Sequence, residues 1–161
     1  MNKNKAEHQL FFQFISEPQD VNFGGKVHGG IVMKWIDQAA YGCAGNWSGG
    51  YCVTVYVGGI RFYKPILIGA IVRVEARIIY TGKTSMHIAV DVFSKKIGEA
   101  HFEKTTHCII VFVAVDENGR PRPVATFKPK TAEEKTMEAY AKRLMALRKD
   151  IDLEMKPHVG R

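Results

Sequence analysis

The sequence has no long apolar run. Its longest, Cys108 to Val115 (CIIVFVAV), falls well short of the roughly 20 residues a helix needs to cross a bilayer. The N-terminus, MNKNKAEHQLFFQF, has neither an extended apolar stretch nor a small-residue cleavage site, so no signal peptide is expected. Cysteine is scarce: Cys43, Cys52 and Cys108 form an odd set without metal-type spacing. That argues against a disulfide framework or a zinc site, and toward a reduced, cytoplasmic protein. No zinc-finger spacing, aromatic-basic ribonucleoprotein signature, internal repeat or low-complexity tract is present, and neither a nucleic acid nor a membrane is expected as partner. Acidic residues are outnumbered, 16 against 23 Lys and Arg, for a formal net charge of +7. Such a balance favours a polyanionic ligand, a phosphorylated small molecule ahead of a nucleic acid, although a merely solvated basic face explains the charge equally well.

With 161 residues and a hydrophobic fraction of 46%, the chain can bury one real core. Leu10 to Ile15 (LFFQFI) reads as a first strand, ended at Glu17-Pro18. The glycine-rich NFGGKVHGG leads into a long apolar helix that stops at the glycines of GNWSGG. Four strands follow. Val53, Val55 and Val57 alternate, and the phase then switches at Gly58-Gly59 to Ile60 and Phe62, which reads as a bulge. Pro65 to Gly69 makes the next turn. Val72, Val74, Ala76, Ile78 and Tyr80 alternate against Arg73, Glu75 and Arg77; after the TGKT turn Met86, Ile88, Val90 and Val92 alternate again. A last strand runs from about His101 to Val115 and closes at DENG. One apolar helix and one antiparallel sheet must bury each other, which predicts an α+β domain with the sheet curled around the helix. The tail differs. Thr131 and Glu134 form a capping-box pattern, and Met137, Tyr140, Ala141, Leu144 and Met145 share one helical face. We expect a single domain over 1–127 and a helical extension over 128–161, docked on the body or on another subunit.

The apolar helix poses the functional question. Ile31, Val32, Met33, Trp35, Ile36, Ala39, Ala40, Tyr41, Cys43 and Ala44 surround Asp37. A helix apolar on all sides is normally buried. An unpaired buried carboxylate is costly, so Asp37 either meets a partner, with Lys34 three residues before it as one candidate, or performs chemistry. The helix start carries Gly29 and Gly30, whose amide N–H groups and helix dipole can hold an oxyanion or simply allow tight packing. His28 can hydrogen-bond a substrate or orient the loop. Asn22 can position a water or shape an Asx turn.

The segments NFGGKVHGGIVMKWIDQAA, VTVYVGGIRFYKP, GKTSM and FVAVDENGRPRPV, spanning Asn22 to Val124, resemble in order the signature segments of the acyl-coenzyme A hydrolases of the hotdog superfamily. The tail TAEEKTMEAYAKRL resembles the helix that follows that domain. A related branch, the phenylacetyl-CoA type thioesterases, shares only the Asn22 to Asp37 core. The resemblance implies a hotdog fold and acyl-CoA thioester hydrolysis. Asn22 and Asp37 fall at the catalytic asparagine and aspartate, brought together across a dimer interface, with Asp37 as general base or nucleophile. Gly30 N–H would hold the thioester oxygen. Thr54, Thr84 and Ser85, with Gly82 in the same turn as the latter two, would line the pantetheine and nucleotide. Arg61, Lys64 and Lys83 would meet phosphates. No cofactor and no metal is implied, since coenzyme A is part of the substrate, and self-association as hotdog dimers, with a trimer of dimers as a larger assembly, is expected. Two departures stand out: no proline follows Val124, and Val57-Gly58-Gly59 replaces a more polar stretch, clearing side chains from the acyl or pantetheine path. Two rival functions are a non-catalytic acyl-CoA sensor and a hotdog acyl dehydratase; the VHGG sequence lacks the proline-containing histidine loop of the latter.

Overall fold

The computed structural model describes residues 7–160. The first six residues of the stretch read for a signal peptide, and the ends of both expected segments, lie outside it. Strand β1 spans Gln9–Ile15 and is followed by a 3-10 turn at Pro18–Asp20. Helix α1 spans Gly29–Ser48. Strands β2 (Cys52–Phe62), β3 (Ile71–Thr81), β4 (Ser85–Lys95) and β5 (Glu103–Ala114) follow, and helix α2 spans Ala132–Met155. The strands form one antiparallel sheet in the order β1-β3-β4-β5-β2.

α1 touches all five strands. Five strands laid flat would span about 19 Å between edges, wider than a helix of about 10 Å. Contact with both edges therefore requires the sheet to curl around α1. Ile78, Ile88 and Ile110 share one register row and face inward, where they join Val32, Ile36, Ala39, Ala40, Cys43 and Ala44 of the helix. The side chains between them point outward. Ile79, Ala89 and Ile109 would be exposed there, but α2 covers them with Ala141, Met137, Tyr140 and Leu144. Strand β4 is consequently buried on both faces through most of its length.

The ends of the helices follow local chemistry. Gly49 adopts φ 73°, the left-handed conformation that ends α1 without a Cβ penalty. α2 opens with the expected capping box: Thr131 accepts from the Glu134 N–H, and Glu134 accepts from the Thr131 N–H. The segment between β5 and α2 turns at Asp116, whose Oδ1 accepts from the Asn118 and Arg120 amides. It is then tied across the end of α1 by Arg122 to the Ser48 carbonyl and by Trp47 Nε1 to the Ala125 carbonyl. Those bonds carry the chain from one face of the sheet to the other. The apolar stripe of α2 is thus docked on the body of its own chain.

Candidate active site

The burial expected for Asp37 is not what the protomer shows. α1 is one-sided: Val32, Ile36, Ala39, Ala40, Cys43 and Ala44 face the sheet, while Met33, Lys34, Asp37, Gln38 and Tyr41 are exposed. Met33 and Tyr41 remain 46% and 40% exposed, so the second apolar face of the helix is real but has no cover among the described residues. No Lys34–Asp37 ion pair forms among the described residues. Instead, Thr54 Oγ1 donates to Asp37 Oδ1 at 2.8 Å. The second carboxylate oxygen takes no partner among the described residues. β2 presents Thr54 through a bulge: Thr54 pairs with Phe112 and Tyr56 with Val111, leaving Val55 unmatched.

The loop before α1 is held as tightly. Asn22 Oδ1 accepts from the Gly24 amide at 2.8 Å and the Lys26 amide at 3.0 Å. These two donors fix the orientation of the Asn22 amide, so its Nδ2 hydrogens point away from the turn and stay available. Asn22 is therefore an Asx-turn residue with a donor to spare. Phe23 projects from the tip of this loop with its ring fully in solvent. His28 is the N-cap of α1, and its Nδ1 accepts from the Gly30 amide at 3.0 Å. The Gly30 N–H expected for a substrate oxygen is thus capped by an imidazole in the protomer, whereas the Gly29 N–H has no partner among the described residues.

The residues assigned to coenzyme A separate into two groups. Met86 and Thr54 both pair with Phe112, which puts the Gly82–Ser85 turn at the Thr54 end of the sheet. The turn is tight: the Gly82 N–H donates to the Ser85 carbonyl at 3.0 Å, and a Cβ at Gly82 would lie 2.6 Å from Ser85 Oγ. The Thr84 and Lys83 carbonyls accept from the Ala114 and Val124 amides, while the Lys83 side chain is exposed. Arg61 lies seven residues along β2 from Thr54, roughly 20 Å away. Lys64, just beyond that end, is paired with Glu103 at 2.9 Å. The glycines of β2 also have a local reason. Gly59 takes φ 63°, and any side chain on Gly58 would collide with the Tyr56 ring. They build the second bulge of the strand.

One polar cluster escaped the sequence reading. On the outer face, Asp91 Oδ1 meets His107 Nδ1 at 2.7 Å and Lys104 Nζ at 3.0 Å, and His107 Nε2 lies 3.0 Å from Tyr140 Oη. Burial pushes the Asp91 carboxyl up, but the hydrogen bonds and charges of His107 and Lys104 outweigh it and hold it below its ordinary value. The only signal was an aspartate and a histidine inside apolar strands. Other nucleophiles are disfavoured: burial pushes the Cys43 thiol up to about 12 and the Cys108 thiol to about 11. Among the described residues no group of three or more His, Cys, Asp or Glu side chains is arranged to hold a metal ion. Among the described residues no helix is long and apolar enough to cross a membrane.

The family model of the thioesterase superfamily matches residues 24–101. The acyl-CoA thioester hydrolase YciA of Escherichia coli is 33% identical over 124 residues, covering 74% of this chain and 92% of its own. Among solved structures, an acyl-CoA hydrolase from Staphylococcus aureus in complex with butyryl coenzyme A, coenzyme A and coenzyme A disulfide superposes with TM-score 0.88 at 27% identity, over 96% of this chain and 94% of its own. That enzyme has also been solved with alanine in place of an asparagine, an aspartate and a threonine. A hexameric acyl-CoA thioesterase superposes with TM-score 0.85 at 30% identity, over 89% of this chain and 92% of its own. The curled sheet around α1 is therefore the hotdog fold, and the chain belongs to the acyl-CoA thioester hydrolases of the thioesterase superfamily.

Proposed function

We propose that the protein hydrolyses fatty acyl-CoA thioesters to a free acid and coenzyme A, at a site built by Asp37 and Thr54 of one copy and Asn22 of a second. The observation that carries this reading is the exposed Asp37 carboxylate, oriented by Thr54 at one oxygen and open at the other. The three residues exchanged for alanine in the Staphylococcus aureus enzyme have the same order, types and spacing as Asn22, Asp37 and Thr54, which supports the assignment. Asp37 takes a proton from water as the water attacks the thioester carbon, or attacks that carbon itself to form a mixed anhydride that water then hydrolyses to the free acid; in either case the carbon–sulfur bond breaks and a thiolate leaves. A thiolate departs without a strong acid. The developing oxyanion is held by the N-terminal amides of α1. Gly29 N–H is open, and a substrate oxygen at Gly30 N–H takes the place of the His28 imidazole. The Asn22 Nδ2 hydrogens are free to position the water or the carbonyl.

Completion by a second copy follows from what the protomer leaves bare. β2 is an unpaired edge strand whose Val55 and Val57 are half exposed, and the uncovered face of α1 lies beside it. Edges of this kind invite pairing with another strand. Antiparallel pairing of two β2 strands about Val57–Gly58 sets Arg61 of one copy opposite Thr54 of the other, reuniting the two groups of coenzyme A residues. Hotdog dimers are thus the unit, with a hexamer, as in the relative of that description, as a larger assembly. Thr84, Ser85 and Gly82 face the pantetheine arm and Lys83, Arg61 and Lys64 the phosphates. The reaction requires water alone, with no cofactor. The buried free cysteines fit the cytoplasm.

The test is release of free thiol from a panel of acyl-CoAs, read with a thiol reagent. Turnover on at least one chain length is expected. Binding of acyl-CoA without thiol release would instead make the protein a sensor, and loss of water from a hydroxyacyl thioester would make it a dehydratase.

A further inference from the structure

The last turns of α2 have no seat on their own chain. The helix crosses the outer face of the sheet obliquely. Met137 lies against Ile79 of β3, Ala141 reaches Ala89 and Ile109 of β4 and β5, and the Arg148 guanidinium stacks 4.6 Å from the Tyr56 ring of β2. From Met137 to Arg148 the helix advances about 16 Å at 1.5 Å per residue, close to the three strand spacings, about 14 Å, that separate β3 from β2. β2 is the edge of the sheet. The helix continues to Met155, about 10 Å further along its axis. Leu147, Ile151 and Met155 follow one another at i, i+4 and i+8, and are 57%, 48% and 54% exposed. A notch of about 150 Å³ between this overhang and the edge strand is lined by Tyr56, Gly58, Gly59, Leu147, Arg148 and Ile151, among others.

We infer that the overhang of α2 is an arm that crosses onto a second copy of this chain and clamps the β2 edges together. The inference rests on the β2 pairing proposed above. A sheet continued through that edge places the second copy's β2 under the stripe Leu147–Ile151–Met155, and two-fold symmetry brings the second arm into the same region from the other side. About a two-fold axis this patch meets the same patch of the second copy. Its charges are balanced: Arg148, Lys149 and Lys156 alternate with Asp150, Asp152 and Glu154. The chain as a whole is basic, so this local balance suits a second copy better than a membrane surface or a nucleic acid.

The experiment is sedimentation equilibrium of the full chain and of Leu147→Asp, Ile151→Asp and Lys149→Ala, with circular dichroism to verify retained helix. The two aspartate variants should raise the monomer–dimer dissociation constant by roughly tenfold or more, while Lys149→Ala, on the opposite side of the helix, should change it little. Unchanged association in both aspartate variants would overturn the arm and leave the β2 pairing standing. A larger assembly that falls to dimers but never to monomers would also overturn it, by placing the stripe between dimers. A monomeric wild type would overturn the pairing and the arm together.

Discussion

Asp37 and Asp91 both stand among apolar neighbours in the sequence, and the fold treats them in opposite ways. Asp91 lies on the outer face of β4 beneath α2, 7% exposed, with His107 and Lys104 on one oxygen and Tyr140 closing the chain of bonds behind His107. The group is satisfied by its own chain and ties α2 to the sheet. Asp37 lies on the exposed face of α1 with a single hydroxyl donor from Thr54. One carboxylate is spent on structure; the other is aimed and left open. A polar group completed within the protomer holds the fold, while one left incomplete beside bare apolar surface is the candidate for chemistry.

The comparison breaks if the two aspartates can be exchanged in role. Asp37→Asn keeps size but removes the base, and should cut thiol release by about 100- to 10,000-fold with a nearly unchanged melting temperature. Asp91→Asn should do the reverse. It leaves His107 and Lys104 facing a neutral amide in a buried site, costing about 3 kcal/mol in urea denaturation, while turnover per folded molecule stays near wild type. The pH dependence carries the sign. Asp91 has a depressed native pKa, so its contribution is full above the unfolded value near 3.8 and is lost as pH falls through the lower native value.

The positioning hydroxyl sharpens the picture on the Asp37 side. Thr54→Val should lower turnover by about 10- to 100-fold, the scale of one hydrogen bond to a charged group, and Thr54→Ser should recover most of it. On the outer face, His87 is buried beside α2, and burial, with Arg148 nearby, depresses its pKa to about 4. The unfolded chain then takes up the proton first, so stability should decline as pH falls from 6.5 to about 4 and level off below. His87→Gln should flatten that decline, seen as melting temperatures across the pH range.

All eight elements except the short 3-10 turn are legible in the sequence, because period-two alternation, helix caps and glycine turns are local signals. The second bulge of β2 announces itself at Gly58-Gly59, whereas the first lies inside the valine alternation, which reads as regular strand, and only the fold shows that it frees Val55 and presents Thr54. The exposure of Asp37 was not legible. Met33 and Tyr41 read as core because residue type alone does not tell an apolar helix face that meets the sheet from one that does not. The Asp91–His107–Tyr140 chain was hidden for a different reason. Its members lie far apart in sequence and meet only where α2 covers the outer face. Asn22 and the His28–Gly30 start of α1 stand out as a motif, but the Asx turn at Asn22 and the imidazole cap on Gly30 depend on backbone geometry that spacing does not reveal.

In the proposed site Asp37 is completed by Asn22 of a second copy. Asn22→Ala and Asp37→Ala proteins, each inactive alone, are to be mixed in equal amounts, subunit exchange verified by native mass spectrometry, and thiol release measured. Half of the dimers should then be mixed and each should carry one intact site, giving about a quarter of wild-type turnover. No recovery after complete exchange would place both residues in the same protomer's site and contradict the account.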